Sequence, residues 1–185
     1  MQDNPYSPPN AELVLSADNK SNSEAPFFAV SPLKLAVMSI FTLGLYELYW
    51  FYKNWQCIKV REKENISPFW RAVFAYFFCY SLFSEMREWQ KENGKGEMPA
   101  GLLAFGWIIV TFMYRLPAPF WLTSMGSVAF LLPVQKVIND INLIEAPDHD
   151  PNAKIRGANW IAIVVGGLIL ALAFIGLFMP DNPAA

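Results

Sequence analysis

Charge is scarce in this chain. Only 16% of its 185 residues are Asp, Glu, Lys or Arg, against about 25% in soluble domains. The formal net charge is −2, so there is no basic footprint and nucleic acid is excluded as an expected partner. Cysteine is scarce too. Cys57 and Cys79 are far apart and outside any C-x-x-C pattern, which excludes a disulfide framework and leaves two thiols, Cys79 among aromatics. The one histidine sits in Asp148-His149-Asp150, alternate positions of a proline-bounded loop. Two carboxylates and an imidazole fall short of a metal site without further ligands, so no metal is expected. G-x-S-x-G, H-E-x-x-H and a phosphate-cradling glycine loop are all missing. An enzymatic reading therefore has no starting point, and no cofactor is implied. The first 32 residues lack a basic start, an apolar centre and a cleavage site, so no signal peptide is expected there.

What is abundant is apolar and aromatic side chains, 54% and 16% of the chain. They fall into five segments separated by the few charges. Residues 1–32 are polar and rich in Pro, Asn and Ser, and read as a disordered tail. Polyproline character is expected at 5–9, and AELVL at 11–15 is a candidate docking motif set against a plain leader. The membrane domain is expected over 33–180, with a short tail at 181–185. Its first segment, 35–52, makes about 27 Å of helix at about 1.5 Å per residue, close to a bilayer's hydrocarbon thickness. Tyr46, Tyr49, Trp50 and Tyr52 crowd its end as interfacial aromatics do.

Ser67-Pro68 then reads as an N-cap and first helical residue, opening a second span at 69–86 that runs on through Trp89 to a stop at Gly94. The apolar interval from Pro99 to Val134 is too long for one crossing and is interrupted by Tyr-Arg-Leu-Pro-Ala-Pro at 114–119. Two prolines and an arginine are costly at mid-bilayer, so a hairpin is expected there, with spans at 99–115 and 119–138. Beyond it Val134, Val137, Ile138, Ile141 and Ile144 recur at helical spacing, with Gln135, Asn139 and Asn142 on the opposite side. The last span, 158–179, carries no charge. The expected fold is thus all-α: a polytopic membrane bundle of about five transmembrane helices. Five crossings put eight of the 14 basic residues on one side and six on the other, which barely favours a cytoplasmic N-terminus. One kinked crossing in place of the 99–138 hairpin would bring 53–63 and 136–156 to the same side.

Glu47 lies inside an otherwise apolar run, and an ionisable residue in a span is a functional candidate whose partner must be named. In an antiparallel pairing of the first two helices Arg71 enters at nearly the same depth. A Glu47–Arg71 ion pair is therefore expected, either fixing the hairpin or serving as a proton or ion site. Gly44 is expected to admit a neighbouring backbone, and Ala158, Ala162 and Gly166, with Gly167 and Ala171, form small-residue stripes for helix packing. Trp55, Ile58, Met86 and Trp89 are expected on an amphipathic hairpin reaching beyond the bilayer. Thr111, Thr123, Ser124 and Ser127 are the remaining polar candidates at depth, though hydroxyls often bond their own helix.

The run GLYELYWFYKNW at 44–55, with ISPFWRAVFAYFFCYSLF at 66–83, QKVINDIN at 135–142 and ANWIAIVVGGLILALAFIGLF at 158–178, resembles a family of small bacterial multi-pass membrane proteins of unknown function. The opening NPYSPP is similar to one found before many bacterial membrane domains. The resemblance implies a bacterial inner-membrane location and supplies no catalytic residue. The expected partners are the lipid bilayer and a membrane protein or a second copy. The expected role is non-enzymatic interaction or envelope organisation, with a small transporter or channel subunit using Glu47 and Arg71 as the alternative.

Overall fold

A computed structural model of the chain describes residues 25–63 and 65–178. The expectations for 1–24 (polyproline, AELVL, NPYSPP) and for 181–185 lie outside the described residues. Among the described residues seven α-helices follow in order: α1 Pro32–Phe41, α2 Leu45–Glu62, α3 Pro68–Val73, α4 Ala75–Glu92, α5 Ala100–Phe112, α6 Val128–Glu145 and α7 Gly157–Phe178, with 3-10 turns at Met113–Arg115 and Phe120–Ser127 before α6. The fold is all-helical, with no strand among the described residues. Among the described residues two helical stretches, Phe120–Glu145 and Gly157–Leu177, are long and apolar enough to cross a membrane, and Pro32–Phe41 and Ala100–Arg115 are shorter apolar ones.

The expected first span is not one helix. Ser31 caps α1 by accepting from Lys34 N–H at 3.2 Å, with Pro32 in the first turn. The helix then stops at Thr42, whose hydroxyl donates to the Met38 carbonyl and accepts from Tyr46 N–H. Leu43 and Gly44 both take left-handed backbone, φ 53° and 85°. Glycine adopts this freely, whereas leucine there costs about 1–3 kcal/mol. Gly44 thus serves the turn, and a Cβ placed on it would touch nothing, so the expected close approach at Gly44 is not made. Beyond the turn the chain folds back. Phe28 N–H reaches Asn54 at 3.2 Å and the Arg61 guanidinium lies 4.5 Å over the Phe27 ring, so both ends of the α1–α2 unit meet. The expected second span is likewise broken, at Phe74 between α3 and α4.

The remaining breaks follow local chemistry. Gly94, at φ 62°, follows the end of α4, where Lys95 N–H returns to the Gln90 carbonyl at 2.9 Å. The 114–119 interval turns the chain back on itself. Thr123 Oγ1 lies 3.3 Å from Met113 Sδ, and the Phe130 ring fills the space beside Gly106.

The core joins Trp50, Phe51, Trp55, Phe83 and Trp107 with Leu82, Met86, Leu131 and Ile138. Phe51 sits 4.9 Å from Trp107 and stacks on Phe83 at 6.3 Å, the offset ring geometry that buried aromatics favour. Trp55, Ile58 and Met86 belong to this core and do not project from it as an amphipathic extension. Trp89 donates to Glu145.

The polar side of α6 is the largest departure from expectation. Gln135 and Asn142 are fully buried. They face the extended segment 27–30, assigned from sequence to the tail. Asn142 Oδ1 accepts from Phe27 N–H at 3.1 Å while its Nδ2 donates to Phe27 O at 3.0 Å. Asn54 Oδ1 takes Phe28 N–H, Gln135 Nε2 reaches Phe28 O at 3.3 Å, Asn152 Nδ2 reaches Ala29 O at 3.1 Å and Asn139 Nδ2 reaches Val30 O at 3.1 Å. Five carboxamides thus stand in for the strand partner that this buried segment lacks. Buried backbone groups must be paired, and here side chains pair them. Phe27 and Val30 insert into the core alongside.

Outside, the pattern inverts. Phe69, Trp70, Phe77, Leu102, Phe105, Trp160, Ile161, Leu168 and Leu172 are all more than half exposed. Only 11% of the apolar window of α7 is buried against the rest of the chain. Buried carboxamides thus sit beside the aromatic core while further rings and aliphatic chains line the outside.

Candidate binding chamber

The α1–α2 turn, the start of α4, the end of α5 and the 3-10 turn before α6 converge on one chamber of about 550 Å³. Glu47 is its acid. As the third residue of α2, directly after the Gly44 turn, it points inward and is 3% exposed. Trp107 Nε1–H donates to Oε2 at 2.7 Å and Ser127 Oγ–H donates to Oε1 at 2.8 Å. One carboxylate therefore ties α2 to both arms of the hairpin, through α5 and through the turn that opens α6. Buried hydrogen bonds of this kind contribute about 0.5–3 kcal/mol each, the upper part of the range applying where the acceptor is ionised.

The expected Glu47–Arg71 ion pair is not formed. Arg71 sits on α3, where its guanidinium lies 4.3 Å over the Trp55 ring and 5.5 Å from Phe78. Antiparallel pairing of two straight helices predicted a shared depth. The breaks at Gly44 and Phe74 remove the straight helices on which that estimate rested, and Arg71 finds an aromatic face instead.

The other sites divide similarly. On α7, Gly166 packs against the backbone carbonyl of Phe41 with no room for a Cβ, and Gly167 lies under the Phe41 ring at 3.4–3.5 Å. Ala162 packs on the core. Ala158 and Ala171 are exposed. Of the small-residue stripes, then, Ala162, Gly166 and Gly167 meet protein and the outer two do not. Thr111, Thr123 and Ser124 bond the carbonyls of Trp107, Phe120 and Trp121 in their own helical turns; Thr123 also contacts Met113 Sδ, and Ser127 reaches across to Glu47. His149 Nδ1 lies 2.7 Å from the Ala146 carbonyl, while Asp150 pairs with Arg156 at 3.2 Å. No group of three or more His, Cys, Asp or Glu is placed to hold a metal among the described residues.

Sequence reasoning missed the rest of the chamber wall: Ser39, Tyr76, Trp107 and Trp121 beside Tyr114. The available signal was Trp107 itself, an indole N–H inside an apolar helix, which needs a buried acceptor.

The charged groups collect away from this chamber, around the start of α1 and the ends of α2, α4 and α6. Lys34 Nζ, in a residue 4% exposed, donates to Asn152 Oδ1 at 2.8 Å and Lys154 O at 2.9 Å, clamping α1 to the loop before α7. Burial holds its pKa below the usual lysine value; Arg156 adds to the shift and Asp150 opposes it. Arg61 reaches Glu85 at 3.8 Å, and Lys91 pairs with Glu97 at 2.9 Å. Lys53, Arg61, Glu145, His149 and Asp150 line one groove there. Residues 53–61 and 145–150 thus share one end of the molecule.

Comparison of the chain with protein-family models, curated proteins and solved structures finds no match. Geometry carries the functional argument.

Proposed function

We propose that this chain is a multi-pass protein of a bacterial inner membrane that acts by binding other envelope components and not by catalysis. The observation that supports the reading is the inverted surface. An α7 window only 11% buried within the chain, beside exposed rings on α3, α4 and α5, is the kind of exposed apolar surface that marks contact with a membrane or another protein. In lipid the same surface is solvated, and the polar side chains belong inside, where they are found.

The crossings we propose are Ala100–Arg115, Phe120–Glu145 and Gly157–Leu177, with α1–α2 as a re-entrant wedge whose turn at Gly44 reaches the chamber. Backbone of this irregular kind is tolerated at membrane depth where protein buries it. The end holding Lys34, Arg61, Lys91, Lys154 and Arg156 faces the cytoplasm under the positive-inside rule. The opposite end carries Arg115 beside Tyr114.

The outward face of α7 then serves as the contact surface for a membrane partner. A photocrosslinking residue at Leu168, 62% exposed, tests this in living cells. A discrete adduct with one second protein, or with another copy, supports the reading; adducts to lipid alone overturn it. The transporter alternative has the Glu47 chamber in its favour but lacks the Arg71 half of its expected site.

A further inference from the structure

We propose that the Glu47 chamber is a binding site for a monovalent organic cation of the substituted-ammonium class, with the Glu47 carboxylate as counter-charge and the surrounding rings as its walls. Four features carry the assignment.

The first is size. At about 550 Å³ the chamber falls in the range of roughly 300–1,000 Å³ typical of small-molecule sites, and it is far larger than a bare inorganic ion needs. The second is charge. No lysine, arginine or histidine lines it, so the carboxylate has no cationic partner in the wall. Each Glu47 oxygen accepts one hydrogen bond, from Trp107 or from Ser127, and an ionised carboxylate oxygen has capacity for a second. The two donors hold the carboxylate in one orientation and leave that capacity for a guest.

The third is the wall itself. Tyr76, Trp107, Tyr114 and Trp121 are among the lining residues, Tyr114 with the Arg115 guanidinium beside its ring. Aromatic faces attract a cation that has shed its water, and cages of this composition suit quaternary and substituted ammonium groups. A bare inorganic ion would leave most of this ring-lined volume unfilled. The fourth is Ser39. This α1 residue lines the same chamber, is 2% exposed, and its Oγ has no hydrogen-bond partner in the protein. A helical serine ordinarily satisfies itself on the carbonyl one turn back. Ser39 does not, and a hydroxyl left unpaired at this depth is destabilising unless a guest engages it.

The inference stands apart from the role assigned to α7. A chain that binds no partner through α7 could still pass the test below.

The probe is N,N-dimethylbenzylammonium chloride, whose N–H can donate to Glu47 or Ser39, followed by equilibrium dialysis against the purified full chain in detergent micelles, with empty micelles as background and neutral benzyl alcohol as the uncharged comparison. The expected result is saturable uptake of one cation per chain, with no saturable uptake of benzyl alcohol. Glu47→Gln keeps an acceptor for Trp107 or Ser127 and should weaken cation binding at least about tenfold. Trp121→Leu, which touches neither hydrogen bond, should weaken it by roughly 3–30-fold. Equal affinity for the cation in wild type and Glu47→Gln overturns the proposal. If Glu47→Gln does not fold, wild type and Trp121→Leu decide: a cation bound no better than the alcohol, or unaffected by Trp121→Leu, overturns it as well.

Discussion

Replacing Asn142 with leucine removes both of its bonds to Phe27 while nearly conserving side-chain volume, so little cavity energy enters. The bonds are 3.1 Å to the amide and 3.0 Å to the carbonyl, and both are buried. Leucine leaves the N–H and the C=O of Phe27 without partners, at about 1–3 kcal/mol each. The expected destabilisation is therefore about 2–6 kcal/mol. For a chain of this length about 1 kcal/mol moves the melting temperature by roughly 2–4 °C, so a drop of at least about 4 °C in a detergent melt is expected. Asn139→Leu is the internal scale. Asn139 is partly exposed, donates one bond to Val30 O and accepts one from Gln135, and its loss should cost roughly half as much or less. Limited proteolysis supplies the local readout: Asn142→Leu should open the chain near Phe27 and Phe28 before the helices are cut. A melt and cleavage pattern for Asn142→Leu equal to those of Asn139→Leu would show that the carboxamides do not hold the segment, and the reasoning would be refuted.

Other expectations follow from the same geometry. Gly166→Val drives a side chain into the Phe41 carbonyl and should lower stability by about 2 kcal/mol or more, whereas Ala158→Val and Ala171→Val, at exposed positions, should be near neutral; equal effects in the three melts would contradict the α1–α7 packing. A double-mutant cycle on Glu47→Met and Trp107→Phe should return a coupling of about 0.5–3 kcal/mol, and one on Glu47→Met and Arg71→Met a value near zero; the reverse order would restore the ion pair. Lys34 in the folded chain holds its proton less tightly than in the unfolded chain, so the unfolded state binds more protons between the lowered value and 10.5. Wild-type stability should then rise with pH through that alkaline window relative to Lys34→Met, and parallel pH curves for the two would remove the buried charge from the account. Single cysteines at Leu116 and Lys95 should label oppositely with a membrane-impermeant maleimide on intact cells, Leu116→Cys reacting and Lys95→Cys protected; the opposite pattern inverts the orientation.

The helical character and the interruption at 114–119 were legible because both depend on local chemistry: apolar run length, two prolines, an arginine. Gly166 was legible for the same reason, since a small residue four positions from Ala162 marks a stripe whatever packs there. The turn at Gly44 was not. One glycine inside an aromatic run is compatible with an unbroken helix, and only the tertiary fold stabilises a leucine at positive φ beside it. The carboxamides failed differently. Helical periodicity places Gln135, Asn139 and Asn142 on one face but does not say what covers that face. The cover proved to be 27–30, grouped with a polar leader although Phe27, Phe28 and Val30 set it apart. Glu47 stood out in the sequence as an acid in an apolar run, yet its partners were sought among cations. An indole and a hydroxyl from distant helices satisfy it instead, and no spacing rule connects 47 to 107 or 127.

The central claim is that lipid, and not water, solvates the exposed rings and aliphatic chains of α3, α4, α5 and α7. Sedimentation velocity of the purified chain, with detergent present and after its removal, tests this most directly. The account predicts one monodisperse detergent-bound species that aggregates once detergent is withdrawn. A chain that sediments as a compact monomer in plain buffer would contradict it.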